Sequence, residues 1–309
     1  MLLKRRMGNR RYHRVLLGLL AAAASVTLYA GELGLRPETL KIWNEYEHAV
    51  GLAMQQRLHG DGRFLRVDQY PDRIARMRAG EIVVWPALEA NPRRVPSGLI
   101  HDWIGAAFIP NARIADVITV VRDYRRYQEI YKPGVVNGRL IRQTDSEDQF
   151  SMVMRNPSFF TKTALDVDFE STYIRLDETR WYSFTRVTRL REIADYGQPA
   201  ERRLAPDRGH GHIWRMSSFS QMEERDGGVY VEEELLALSR GVPAAVLWIA
   251  GPIIRRVARE STASSIEKTR VAVGSKPEAI SVAKASIAAP GGHDGAVVCG
   301  RGSAVGCLR

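Results

Sequence analysis

The chain predicts an α+β fold: a curved antiparallel sheet wrapped around a long C-terminal helix, with a small N-terminal α/β extension. Three observations predict it. Strand-like runs follow one another from residue 135 to 240 with short turns between them, and strands joined that way must pair antiparallel. The turns Asp177-Glu178-Thr179 and Asp226-Gly227-Gly228 are of hairpin type. One long helical stripe, from Pro243 to about Val273, closes the pattern, and a sheet with one such helix buries its apolar face against it.

In chain order, residues 1–30 carry six Lys/Arg and no acid, and they include the uncharged stretch Val15 to Ala30. Sixteen residues would span about 24 Å as a helix, short of the roughly 20 residues a bilayer crossing needs. With Ala30 before Gly31, this reads as an export signal, either cleaved or left uncleaved as an anchor through residues 15–30. A periplasmic or other extracytoplasmic location is the expectation. Residues 31–97 form the extension. Within it, Leu40, Trp43, Tyr46, Ala49, Val50, Ala53, Met54 and Leu58 make Pro37 to Leu58 an amphipathic helix. Phe64 to Val67, Pro71 to Arg78 and Glu81 to Trp85 read as strand, helix and strand. The polar, Pro-containing run Glu89 to Ser97 is a domain boundary. So small a segment buries little surface alone and is expected to pack on the larger domain C-terminal to it.

Residues 98–274 carry the main domain. Leu99 to Phe108 is a strand, and Asn111 is placed to cap the first of two short helices within 112–131. Strands then run over Val135 to Arg142, Gln149 to Asn156, Ala164 to Leu176, Arg180 to Ile193, Gly211 to Glu223 and Val229 to Arg240. In the third of these, Leu165, Val167, Phe169 and Tyr173 alternate with polar residues, mostly acids, the mark of a sheet with one covered face. Val246, Ile249, Ala250, Ile253, Val257, Thr262 and Ile266 trace the stripe of the last helix, and Gly251-Pro252 is expected to bend it. Residues 275–309, rich in Gly, Ala and Ser, read as a disordered tail holding both cysteines, Cys299 and Cys307.

The run Trp103-Ile104-Gly105-Ala106-Ala107-Phe108-Ile109-Pro110-Asn111-Ala112, the helix end Val121-Arg122-Asp123-Tyr124-Arg125-Arg126-Tyr127 and Tyr131-Lys132-Pro133 resemble the START-like helix-grip (SRPBCC) superfamily. Val229 to Glu232, Leu238 to Arg240 and the helix from Pro243 complete the resemblance, which covers about residues 98–273. It implies a cavity for a hydrophobic small molecule or lipid, in a superfamily that also holds Bet v 1 allergens and polyketide cyclases. No invariant catalytic signature comes with it.

The candidate ligand-binding residues lie where wall and lid would meet: Trp214, Arg215, Met216, Phe219, Glu232, Glu234, Leu236, Leu238, Arg240, Trp248, Ile249 and Ile253. Alternation puts Glu232 and Glu234 on one face with Leu236 and Leu238, where burial would raise their pKa. Arg215 and Arg240 are the expected cationic partners. His101 and Asp102, adjacent in a strand, point to opposite faces and form no relay. His210 and His212 lack a third ligand at metal spacing. No nucleophile with a partnered base and no phosphate or dinucleotide fingerprint is present, so no cofactor is expected.

The sequence is thus read foremost as a non-catalytic binding protein. A cyclase or dehydratase of polyketide-like substrates and an envelope scaffold are its rivals. The formal charge of +10 would ordinarily suggest nucleic acid, yet residues 31–274 hold 35 bases against 33 acids. The excess sits in the leader and tail, and nucleic-acid binding is not expected.

Overall fold

A computed structural model describes residues 33–60, 63–155 and 163–275, with the side chains of residues 244–249 outside the description. The leader, the tail and both cysteines fall outside the described residues. No helix among those described is long and apolar enough to cross a membrane.

The extension contains β1 (Leu33–Gly34), α1 (Pro37–His59), α2 (Pro71–Arg78), β2 (Val83–Pro86) and β3 (Arg93–Val95). The strand β4 (Gly98–Pro110) leads into the short helices α3 (Ile114–Val121) and α4 (Tyr127–Ile130). Then come β5 (Val135–Gln143), β6 (Glu147–Met154), β7 (Ala164–Arg175) and β8 (Arg180–Ala194). The short β9 (Arg202–Arg203) and β10 (Arg208–Gly209) precede β11 (Arg215–Arg225), β12 (Gly228–Arg240) and α5 (Ala244–Gly274).

The sheet runs β2-β4-β12-β11-β8-β7-β6-β5, with β3 also on β4 and β9 on β8, every pair antiparallel. Register shifts at Asp168/Phe169 and Leu140/Arg142 mark bulges, which bend and twist the strands that carry them. The β11–β12 hairpin turns on Asp226 (φ 55°) and Gly227 (φ 79°), the two left-handed residues a tight hairpin demands.

Two local expectations differ. Asn111 sits in the left-handed region, its N–H on the Gly227 carbonyl at 2.8 Å, and continues that turn instead of capping a helix. The first helix is held at its start by carboxylates: Asp116 accepts from the Arg113 N–H at 3.0 Å and Glu224 from the Ile114 N–H at 2.9 Å. Phe64 to Val67, expected as a strand, leads into a 3-10 turn over Arg66–Gln69. There the N–H groups of Arg66 and Val67 are spent on the Glu232 carboxylate, at 3.0 and 2.8 Å, and have no ladder to join.

Both faces of the central sheet are covered, by different layers. α1 lies on one: Trp43, Val50 and Met54 pack with Ile100, Tyr182, Trp214, Phe219, Leu236 and Leu238. α5 lies on the other and reaches the sheet at Gly105, where an added Cβ would stand 2.4 Å from Ile266 and 2.8 Å from Thr262. That glycine is what lets the helix sit so close. Thr262, Ile266, Thr269 and Val273 are accordingly buried. Ile253, expected in the buried stripe, is 60% exposed.

Candidate functional site

Register assigns each side chain to a face. Glu232, Glu234, Leu236 and Leu238 pair with Ala106, Ile104, Asp102 and Ile100, and all four are buried on the α1 face. Glu233, Leu235 and Ala237 pair with Gly105, Trp103 and His101 on the α5 face, and all three are only half-buried. The same alternation holds next door on β11, where Ser217, Phe219 and Gln221 are buried under α1 while Ser218 and Ser220 stay half-open toward α5. Along these stretches the α1 face is the more deeply buried of the two.

This relocates most of the residues singled out from the sequence. Trp214, Phe219, Glu232, Glu234, Leu236 and Leu238 do come together, as the parity argument requires, but against α1. The physical reason is that the extension supplies its own apolar layer, so the Leu-bearing face of β12 belongs to it. Met216 alone of the strand candidates packs on the α5 side, against the cluster of Tyr124, Tyr127, Phe150 and Phe169. Arg215 is held by Asp207, at 2.6 and 3.2 Å, and does not meet either glutamate. Arg240 lies beside Gly211, its Nη1 buried without a partner among the described residues. The side chains of Trp248 and Ile249 lie outside the described residues, and Ile253 is exposed.

The α5 face combines apolar walls with few polar groups. Phe150 stacks between Tyr124 and Phe169, with ring centres 4.0 and 5.0 Å away. Tyr127 meets Tyr131 edge-on, and the Tyr131 hydroxyl lies 2.9 Å from Thr269 Oγ1, tying α5 to the segment after α4. Against this background Glu233 has no hydrogen bond or ion pair among the described residues. Burial alone pushes its carboxyl up to about 7. After burial, its charge adds to the upward shift of Tyr127 and Tyr131. Trp103, the β4 partner of Leu235 on the same face, has a buried Nε1 with no acceptor among the described residues. A buried donor without a partner costs about 1–3 kcal/mol, so a ligand offering an acceptor there would be favoured. Neither residue was singled out from the sequence as a ligand contact.

Under α1 lies a polar cluster whose cations come from the extension. Arg66 Nη2 donates to Glu234 Oε2 at 2.7 Å, with Arg57 Nη2 4.0 Å from the same oxygen. Tyr46 donates to Asp102 Oδ2 at 2.5 Å. Burial, then the neighbouring Glu234, raises Asp102 to about 7; burial also raises Glu232 to about 7 and shifts Glu234 upward. His101, on the opposite face from Asp102, bonds Ser239 at 2.9 Å, and burial pushes it down to about 4. His210 and His212 are organised by Glu192, which takes the backbone N–H groups of both and of Gly211. No cluster of three metal-ligating side chains occurs among the described residues.

The raised carboxyls fix a sign for the pH dependence of stability. Asp102 and Glu232 hold protons in the folded chain that the unfolded chain releases above about pH 4–4.5. The folded state therefore binds more protons between about pH 4 and 7, and stability falls as pH rises through that window. A discounted loss of about 2 kcal/mol corresponds to a melting temperature lower by roughly 4–8 °C at pH 8 than at pH 5.5. Thermal melts should show it, and Asp102→Asn should flatten the slope; a melting temperature that rises from pH 5.5 to 8 contradicts it.

No family model matches the chain, and no curated protein does. Among solved structures it is similar to a STAR-related lipid transfer protein fragment from Xanthomonas axonopodis, at 17% identity over 60% of this chain and 98% of that one, TM-score 0.40. It is similar to human STARD10 at 10% identity over 72% and 85% of the two chains, TM-score 0.40. A third similar structure is the Zhui aromatase/cyclase from Streptomyces sp. R1128, 10% identical over 57% and 94%, TM-score 0.40. Likenesses this distant carry no argument about ligand or reaction. The START-like, helix-grip description rests on the chain's own topology: an antiparallel sheet ordered β4-β12-β11-β8-β7-β6-β5, two short helices after β4, and a long helix after the last strand.

Proposed function

We propose that this chain is an exported binding protein that holds an apolar small molecule, a lipid by class, between the α5 face of the sheet and α5. One observation carries the reading: in the middle of β11 and β12, Ser217, Phe219, Gln221, Glu232, Glu234, Leu236 and Leu238 facing α1 are buried, whereas Ser218, Ser220, Glu233, Leu235 and Ala237 facing α5 are half-open. An apolar concavity with few polar groups is the ordinary form of a small-molecule site. Glu233 and Trp103 suit a ligand whose polar end both donates and accepts, as a hydroxyl does. The absence of a second titrating group hydrogen-bonded to Glu233 among the described residues favours binding over proton-transfer chemistry. Export rests on the charge pattern of residues 1–30 and is tested by the cell fraction in which the full chain appears.

Native mass spectrometry of protein purified from the envelope of its own cells should show an added mass that organic solvent removes. A ligand-free protein that also takes up no fatty acid, sterol or phospholipid from vesicles overturns the reading.

A further inference from the structure

On the other face of the sheet, walled off from α5 by the β-strands, lies a cavity of about 320 Å³ lined by Arg57, Arg66, Gln69, Tyr70, Trp85 and Ile104. Its volume falls in the range of sites for small ligands. Its arginines are under-used. Arg57 is largely buried, its Nε has no partner, and its one hydrogen bond among the described residues runs to the Met54 sulfur at 3.3 Å, a weak acceptor. Burial and the nearby Arg66 both disfavour its charge. Arg66 is anchored on Glu234. At the rim the Arg73 guanidinium stacks 3.9 Å over the Tyr70 ring and 4.3 Å over Trp85, with its Nη1 buried and unpartnered among the described residues.

The carboxyls beneath are engaged elsewhere. Glu232 takes two backbone N–H groups, and Asp102 takes the Tyr46 hydroxyl. Glu234 alone of the three is hydrogen-bonded to a guanidinium, and it also meets Asp102, so Arg57 Nε and Arg73 Nη1 are left without an acceptor among the described residues. A carboxylate matches a guanidinium fork in plane and spacing, and the aromatic walls suit a flat body attached to it.

We propose that the cavity between α1, the 66–70 segment and the end of β2 is a binding site for a small planar carboxylate, recognised by Arg57 and Arg66 and flanked by Tyr70 and Trp85. The site is separate from the α5 concavity, so its ligand and an apolar ligand bind independently.

The test is isothermal titration of the full chain with benzoate, with inorganic phosphate and benzamidine as comparison probes. Benzoate should bind one per chain and benzamidine not at all. Arg57→Gln should weaken benzoate at least tenfold, and Tyr70→Ala, a half-exposed wall change that leaves the buried cluster intact, about threefold. Unchanged melting curves show that both variants are folded; if Arg57→Gln does not fold, Tyr70→Ala decides. No benzoate binding, binding indifferent to both changes, or phosphate bound more tightly than benzoate and indifferent to Tyr70→Ala overturns the proposal.

Discussion

Trp43→Ala lowers stability by about 3–5 kcal/mol, the range for deleting a buried Trp side chain. Trp43 is 2% exposed and is the largest side chain that α1 inserts into the cluster of Ile100, Trp214, Phe219, Leu236 and Leu238. The sheet cannot close over the void, because α1 is seated at two further points. The Thr39 hydroxyl donates to the Pro96 carbonyl at 2.6 Å, and Gly98 leaves room for the Thr39 methyl, which would stand 2.9 Å from an added Cβ. Urea melts should show one transition shifted to lower denaturant, since α1 and the sheet share one core. Leu52→Ala is the control: Leu52 is 51% exposed on the same helix, and its loss should cost within about 0.5 kcal/mol. Equal small effects from the two changes would mean that α1 is not part of the core.

Arg122→Met costs a similar amount by a different route. Asp148 has no exposed side-chain surface, and its carboxylate is held by Arg122 Nε and Nη2 at 2.8 and 2.7 Å and by the Tyr124 hydroxyl at 2.8 Å. Removing the guanidinium strands a buried carboxylate, a loss of about 3–5 kcal/mol. The double change Arg122→Met with Asp148→Asn should recover part of it, which distinguishes charge burial from lost packing. The solvated pair of Arg126 with Glu129, at 3.1 Å, gives the contrast: Arg126→Ala should move stability by less than about 0.5 kcal/mol. Because Tyr124 also meets Tyr173 at 2.9 Å, this network braces the aromatic cluster of Tyr124, Tyr127, Phe150 and Phe169. Its loss should loosen ligand uptake together with the fold.

The elements were legible in the sequence because each is a local pattern. The strand periods, the Asp226-Gly227 turn and the α1 and α5 stripes are all short-range features, none longer than a single helix. The parity of β12 was legible too: Glu232, Glu234, Leu236 and Leu238 share a face. Which layer covers that face was not, since alternation separates two sides of a strand without saying what lies on either. Two signals bore on it. The apolar stripe of α1, with Trp43, Val50 and Met54, needed a surface to cover, and the leucine face of β12 is that surface. Gly105, between Ile104 and Ala106 in β4, marks a close approach by another element, and that element is α5. Arg57 and Arg66 were beyond reach of sequence spacing, because Arg66 and its partner Glu234 lie 168 residues apart. The same holds for Glu233, which reads as the middle of an acidic run until the register sets it alone under α5.

The place of the ligand is read out by a diazirine-bearing fatty acid, photolysed on the full chain and mapped by peptide mass spectrometry. The expected adducts fall on Ser218, Ser220, Glu233, Leu235 and Ala237 and on α5. Adducts on the α1 face instead, at Phe219, Leu236 or Trp43, would contradict this placement, as would saturable binding with no adduct on either β11 or β12.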